Sequence, residues 1–89
     1  LTSKTTARFK QALARLPRQV QILAYQKYEI WSKDPRHPSL RFKLLTGQKD
    51  LWSVRIGDHY RALGSFQGPE LFVWTWIGTH EEYNRLIKR

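Results

Sequence analysis

Apolar residues recur at helical spacing through the first third of the chain. Phe9, Ala12, Leu13 and Leu16 share one face of a short amphipathic helix predicted over residues 5–15. Pro17 stops that helix and suits the first position of the next. Val20, Leu23, Ala24, Tyr28 and Trp31 then repeat at spacings of three and four. This second helix should end near Lys33, because Pro35 drives Asp34 out of helical geometry. Residues 34–39 carry two prolines and form an irregular loop. Beyond the loop the period falls to two. Leu40, Phe42 and Leu44 alternate with Arg41 and Lys43 as a half-buried strand, and residues 46–50 make a turn. Trp52, Val54 and Ile56 alternate with Ser53 and Arg55, and residues 60–66 return after Gly57-Asp58. Residues 71–77 are nearly all apolar, which places them at the sheet centre with both faces buried. Thr79 and Glu82 form a capping box before a final helix whose apolar face is Tyr83, Leu86 and Ile87. The expected fold class is α+β: an N-terminal helical hairpin packed on a small antiparallel sheet of three to four strands, with a short C-terminal helix.

The hairpin at Gly57-Asp58 selects its own register. A two-residue turn would pair Val54 with Arg61 and mix charge into the apolar face. A three-residue loop, Gly57-Asp58-His59, pairs Ile56 with Tyr60, Arg55 with Arg61 and Val54 with Ala62. One face then holds Trp52, Val54, Ile56, Tyr60 and Ala62, and the other Ser53, Arg55, Arg61 and Leu63. Two arginines directly opposite repel each other unless an anion lies between them. Arginine forks match phosphate, and Arg41 or Lys43 is placed to join the same face. The competing reading pairs each arginine with a local carboxylate, Asp58 or Glu70.

Composition narrows the function. At 89 residues the chain is expected to be one domain, residues 1–89, with Trp52, Trp74, Trp76, Phe42, Phe66 and Phe72 as core material. A formal net charge of +9 points to nucleic acid, an acidic protein or an anionic membrane face as partner, with a polyanion or acidic partner ahead of a merely basic domain. The absence of cysteine excludes disulfides and thiolate metal sites and fits a cytoplasmic protein. No apolar run approaches the ~20 residues of a membrane span, and the N-terminus has no apolar signal-like core, so neither membrane association nor a signal peptide is expected. The chain begins at Leu1 and holds no Met, so a few residues are expected to precede it. His37, His59 and His80 show no short metal-ligand spacing, and no glycine-rich nucleotide loop occurs, so neither metal nor cofactor is expected.

Phe9 to Leu16-Pro17, Phe42-Lys43-Leu44 before Gly47, residues 52–58 with Tyr60-Arg61, and residues 76–80 with Tyr83 together resemble the RelE/ParE toxin superfamily. The resemblance covers nearly the whole chain. It implies a toxin of a type II toxin–antitoxin system, neutralised by an acidic cognate antitoxin. Many members are ribosome-dependent, metal-independent endoribonucleases that cut mRNA in the decoding site and so arrest translation. In them the 2′-hydroxyl attacks the adjacent phosphate and leaves a cyclic phosphate. Others inhibit DNA gyrase and cut nothing, and a third possibility is an inactive antitoxin-binding remnant.

By the same resemblance, Arg61 matches the arginine at the scissile phosphate, and Arg55 a base or charge stabiliser. His80 stands where a general acid often lies. Tyr83 matches the family's C-terminal tyrosine about one helical turn early. Ser53 replaces a basic residue, which removes that contribution. Arg41, Lys43, Ser53 and Tyr60 are the expected RNA-binding residues, and Tyr83 and Trp52 are further aromatic candidates for stacking. Cleavage of a phosphodiester needs a base, an acid and cations, which Arg55, Arg61 and His80 can supply. Glu81 or Glu82 is an alternative base, although acids in a first helical turn serve the cap and the dipole. Strand tryptophans such as Trp74 and Trp76 are read as core rather than as base-stacking platforms. The antitoxin is expected to cover the Arg55/Arg61 face with acidic side chains.

Overall fold

The computed structural model describes residues 2–47 and 49–88; Leu1, Arg89 and Gln48 of the predicted turn lie outside the described residues. The order is β1 (Thr2–Thr5), α1 (Ala7–Ala14), α2 (Arg18–Lys33), a short 3-10 helix (Pro38–Leu40), β2 (Lys43–Leu44), β3 (Trp52–Ile56), β4 (Tyr60–Phe66), β5 (Leu71–Thr79) and α3 (His80–Ile87). The strands form one sheet in the order β1-β5-β4-β3-β2. The class is α+β as expected, but the sheet has five strands and is mixed, because β1 runs parallel to β5.

β1 occupies residues where the apolar pattern is silent. Its threonines favour extended backbone, and Thr2 and Thr6 donate to the carbonyls of Glu70 and Trp74 at 2.8 and 3.1 Å. The first helix therefore starts at Ala7 rather than residue 5, with Thr6 capping the Phe9 N–H at 3.1 Å. Pro17 is the N-cap of α2 rather than its first residue. β5 is internal, as its apolar run requires, with β4 in the middle place.

The strand predicted from Leu40 is corrected. Leu40 closes the 3-10 helix and is fully buried, and Arg41 turns the chain with a left-handed φ of 47°. Only Lys43 and Leu44 pair with β3, and Leu44 is 52% exposed. The apolar alternation was real, but its first residue packs from a turn and its last lies on an open edge.

The sheet is covered on both faces. Phe9, Leu13, Leu23 and Trp31 from α1 and α2 pack on Val54, Ile56, Ala62, Phe72, Trp74 and Ile77. Trp31, 1% exposed, is the centre of this layer, with ring centroids 5.2 Å from Phe72 and 5.0 Å from Trp74. The opposite face buries a smaller cluster of Leu45, Leu63 and Tyr83, with Leu51, Trp76 and Leu86 against it. A bulge lets β5 serve both faces. Leu63 pairs with Trp76 but Gly64 with Trp74, which leaves Thr75 as an extra residue. The inserted residue reverses the alternation, so Trp74 joins the large core and Trp76 the small one.

Candidate functional site

The β3–β4 hairpin adopts the predicted three-residue loop: Ile56 pairs with Tyr60, Arg55 with Arg61 and Val54 with Ala62. Gly57 takes a φ of 67°, a conformation that calls for glycine, and a Cβ there would stand 2.8 Å from Leu23 Cδ2, so that side chain would have to shift. The loop is a hub. The Gly57 carbonyl accepts from Arg55 Nε and from Arg61 Nη1, each at 3.2 Å. Arg61 Nη1 also donates to the Tyr60 carbonyl at 2.8 Å. Asp58 forms an ion pair with Arg55. The His59 carbonyl accepts the backbone N–H of His80 at 2.8 Å, which ties the start of α3 to the same loop. Three residues of turn thus position Arg55, Arg61 and His80.

The competing reading of the arginines holds for one of them. Arg55 has Asp58 as its carboxylate, while Arg61 donates to carbonyls that leave its charge in place. Arg61 is held below its ordinary pKa, first by partial burial and then by the neighbouring charge of Arg55, with Arg41 adding to the effect. Tyr83 and Asp58 oppose it. A guanidinium stays protonated under such pressure, so the Arg61 charge persists beside that of Arg55.

The remaining candidates divide. Lys43 pairs with Ser53, and Ser53 with Leu63, so Lys43 shares the face of the arginine pair one rung along and is exposed. Arg41 is exposed and close enough to bear on Arg61. Ser53 is 2% exposed, so it lies beneath this face rather than on it. Tyr83 is 5% exposed, with its ring in the small cluster. Tyr60 and Trp52 stand on the other face, packed against the large core, and the structure does not bring them to the arginines.

α3 opens with the predicted capping box. Thr79 Oγ1 accepts from the Glu82 N–H at 3.1 Å, and the Glu82 carboxylate accepts from the Thr79 N–H at 2.9 Å and hydroxyl at 3.0 Å. Those bonds, the backbone one first, hold the Glu82 carboxyl below its ordinary pKa, so Glu82 is committed to the cap. The His80 ring lies 5.8 Å from that of Tyr83, and its Nδ1 lies 3.3 Å from Asn84 Nδ2. Asn84 was missed by sequence reasoning, although its place four residues after a candidate histidine is a readable signal.

An apolar concavity lies elsewhere. A cavity of about 680 Å³ opens between α1, α2 and the sheet, lined by Phe9, Leu13, Trp31 and Trp74, with Lys4, Lys10 and Lys27 also bordering it. The indole N–H groups of Trp31 and Trp74 are buried and have no hydrogen-bond partner among the described residues. Among the described residues no cluster of His, Asp and Glu is arranged to hold a metal ion, and no helix is long and apolar enough to cross a membrane.

Several solved structures share this fold. The RelB–RelE antitoxin–toxin complex from Methanococcus jannaschii superposes with a TM-score of 0.73 at 13% identity, over 93% of this chain and 96% of that one. The YoeB/ParE toxin from Agrobacterium tumefaciens gives 0.72 at 14% identity, over 90% and 99%. The RelBE2 toxin–antitoxin complex from Mycobacterium tuberculosis gives 0.71 at 18%, over 89% and 96%. No curated protein sequence matches the chain. The sequence profile of the ParE-like toxin domain matches residues 18–85, from the start of α2 into α3. With that match across most of its length, the chain belongs to the family of ParE-like toxin domains.

Proposed function

We propose that the protein is the toxin of a toxin–antitoxin pair, acting in the cytoplasm as a metal-independent endoribonuclease on ribosome-bound mRNA. The observation that carries this reading is the Arg55–Arg61 rung, two guanidinium groups that share the Gly57 carbonyl, with Asp58 paired to Arg55. A bridging phosphate relieves their repulsion. Arg61 is the group for the scissile phosphate, Arg55 for developing charge, and Arg41 and Lys43 for the flanking backbone. His80 stands at the end of the same rung system, tied to the hairpin loop. Tyr83 serves by packing beside Arg61.

An acidic antitoxin is supported by the RelB–RelE complexes among the similar folds and by two surfaces of this chain. The basic face suits its carboxylates. The apolar cavity with lysines at its border, continued by exposed Tyr25 and Tyr28, suits an amphipathic segment with side-chain acceptors for the two indole N–H groups.

Non-enzymatic inhibition of DNA gyrase is the second reading. It is favoured by Asp58, which already engages Arg55, and by Ser53 buried where the family has a basic residue. The discriminating experiment is translation with purified ribosomes and a defined mRNA, comparing wild type with Arg61→Ala. Cleavage confined to ribosome-bound mRNA and lost in the variant is expected. Intact mRNA with folded wild-type protein, together with inhibition of gyrase supercoiling, would replace the nuclease reading by the second.

A further inference from the structure

His80 is the first residue of α3, and the helical repeat sets Asn84 one turn beyond it on the same side. Asn84 Nδ2 lies 3.3 Å from His80 Nδ1. An amide nitrogen only donates, so Nδ1 is the acceptor, and the proton of the neutral ring sits on Nε2. Which nitrogen of a histidine carries the proton is set by the bond that the other one makes. The ring is further fixed by Tyr83, tilted by 36° at 5.8 Å between centroids, and by its own backbone N–H, bound to the His59 carbonyl.

We propose that Asn84 is a positioning residue that keeps Nε2–H of His80 as the nitrogen offered to a ligand. Protonation of the ring turns Nδ1 into a donor facing the Nδ2 donor of Asn84, so the contact as it stands favours the neutral ring. Nε2 carries hydrogen in both charge states. His80 is thereby a donor to an anionic oxygen and not the base of the reaction. In cleavage, the O2′–P bond forms as the P–O5′ bond breaks. The 2′-hydroxyl proton goes to solvent and O5′ takes its proton from water, while Nε2–H of His80 keeps its hydrogen and donates to a non-bridging phosphate oxygen. This catalytic half rests on the nuclease reading; the tautomer does not.

The test is long-range 1H–15N correlation of the histidine rings in the full, uniformly 15N-labelled chain, at a pH where the rings are neutral. The expected wild-type pattern for His80 is that of the Nε2–H tautomer. In Asn84→Asp the carboxylate only accepts, so the proton should move to Nδ1 and the pattern invert. Asn84→Ala should give a mixture with the backbone amide spectrum preserved. An Nδ1–H pattern in the wild type, or the same pattern in wild type and Asn84→Asp, overturns the proposal. On ribosome-bound mRNA, Asn84→Ala should lower kcat about tenfold, the effect typical of losing a histidine's orienting partner, with KM unchanged. If the tautomers behave as stated but the wild type cuts nothing, the nuclease reading falls and the role of Asn84 as the residue that sets the tautomer stands.

Discussion

Among the described residues, the hydrophobic cluster on the sheet face toward α1 and α2 has eight buried members in one aromatic-rich layer, while the cluster toward α3 has three, with Arg55 and Arg61 on the same face. On the first face Phe72 is fully buried, with Phe66, Trp74, Trp31 and Phe42 rings at 4.9, 4.7, 5.2 and 5.6 Å. On the second, Leu63 packs with Leu45 and Tyr83, and the next rung is already the Arg55–Arg61 pair. Stability is concentrated on one side and charge on the other, so chemistry on the basic face can vary at little cost to the fold. The strongest way to break this comparison is truncation on each side. Phe72→Ala should cost about 3–5 kcal/mol, and Leu63→Ala toward the lower end of about 2–5 kcal/mol. Urea denaturation of both variants measures the gap, and equal losses would show that the two faces share the work.

Within the basic face, Arg55 and Arg61 are paired in space but not in environment. Asp58 already engages Arg55, whereas Arg61 donates to the carbonyls of Gly57 and Tyr60. Arg61→Ala should weaken binding of a short single-stranded RNA by about 1.5–3 kcal/mol, the range for hydrogen bonds to charged groups. Arg55→Ala should weaken it less, and Asp58→Asn should strengthen it. Fluorescence anisotropy at two salt concentrations reads all three, and both arginine variants should flatten the salt dependence. A larger loss for Arg55→Ala than for Arg61→Ala would reverse the assignment.

The two faces also differ in how far the sequence announces them. Alternation and charge were enough to set the hairpin register, because a slip would have put Arg61 against Val54 in the core. The same register sets Tyr60 on the face opposite the arginines, against its expected place among the RNA-binding residues, and the structure packs it on the large core. What escaped was whatever lacks an apolar signature. β1 is four residues held by hydrogen bonds to β5, and its threonines read equally well as a loop. The left-handed turn at Arg41 occurs without glycine, so nothing in the pattern marks it. Leu45 and Leu51 build the small core from turn positions, where periodicity has no voice. At the site, residue types foretold charge and proton chemistry. The convergence of Arg55, Arg61 and His80 on the loop carbonyls of Gly57 and His59 is backbone geometry that side-chain patterns do not encode.

That loop gives the next test. Gly57 carries a φ of 67° and has Leu23 where its Cβ would go, so it joins the large core to the arginines. Gly57→Ala should cost about 1–3 kcal/mol of stability, the usual size of local backbone strain. It should also displace the carbonyl that both guanidinium groups share. Thermal denaturation gives the first quantity and RNA affinity the second. Loss of stability with unchanged affinity would mean that the arginines do not depend on this carbonyl.

The smallest effect belongs to the cap that launches α3 from the basic face. Thr79→Ala should cost about 1 kcal/mol, as N-cap removal typically does. Its partner gives the effect a pH dependence of definite sign. The bonds from Thr79 hold the folded-state pKa of Glu82 below its ordinary 4.5. The carboxylate therefore stabilises the fold fully above that ordinary value, and the contribution disappears as pH falls through the lower, folded value. The difference in Tm between wild type and Glu82→Gln should be constant near neutrality and close only in acid below 4.5. A gap that closed instead between neutrality and that value would mean that Glu82 titrates as a raised, catalytic-type carboxyl, and the base would then have to be sought at the cap itself.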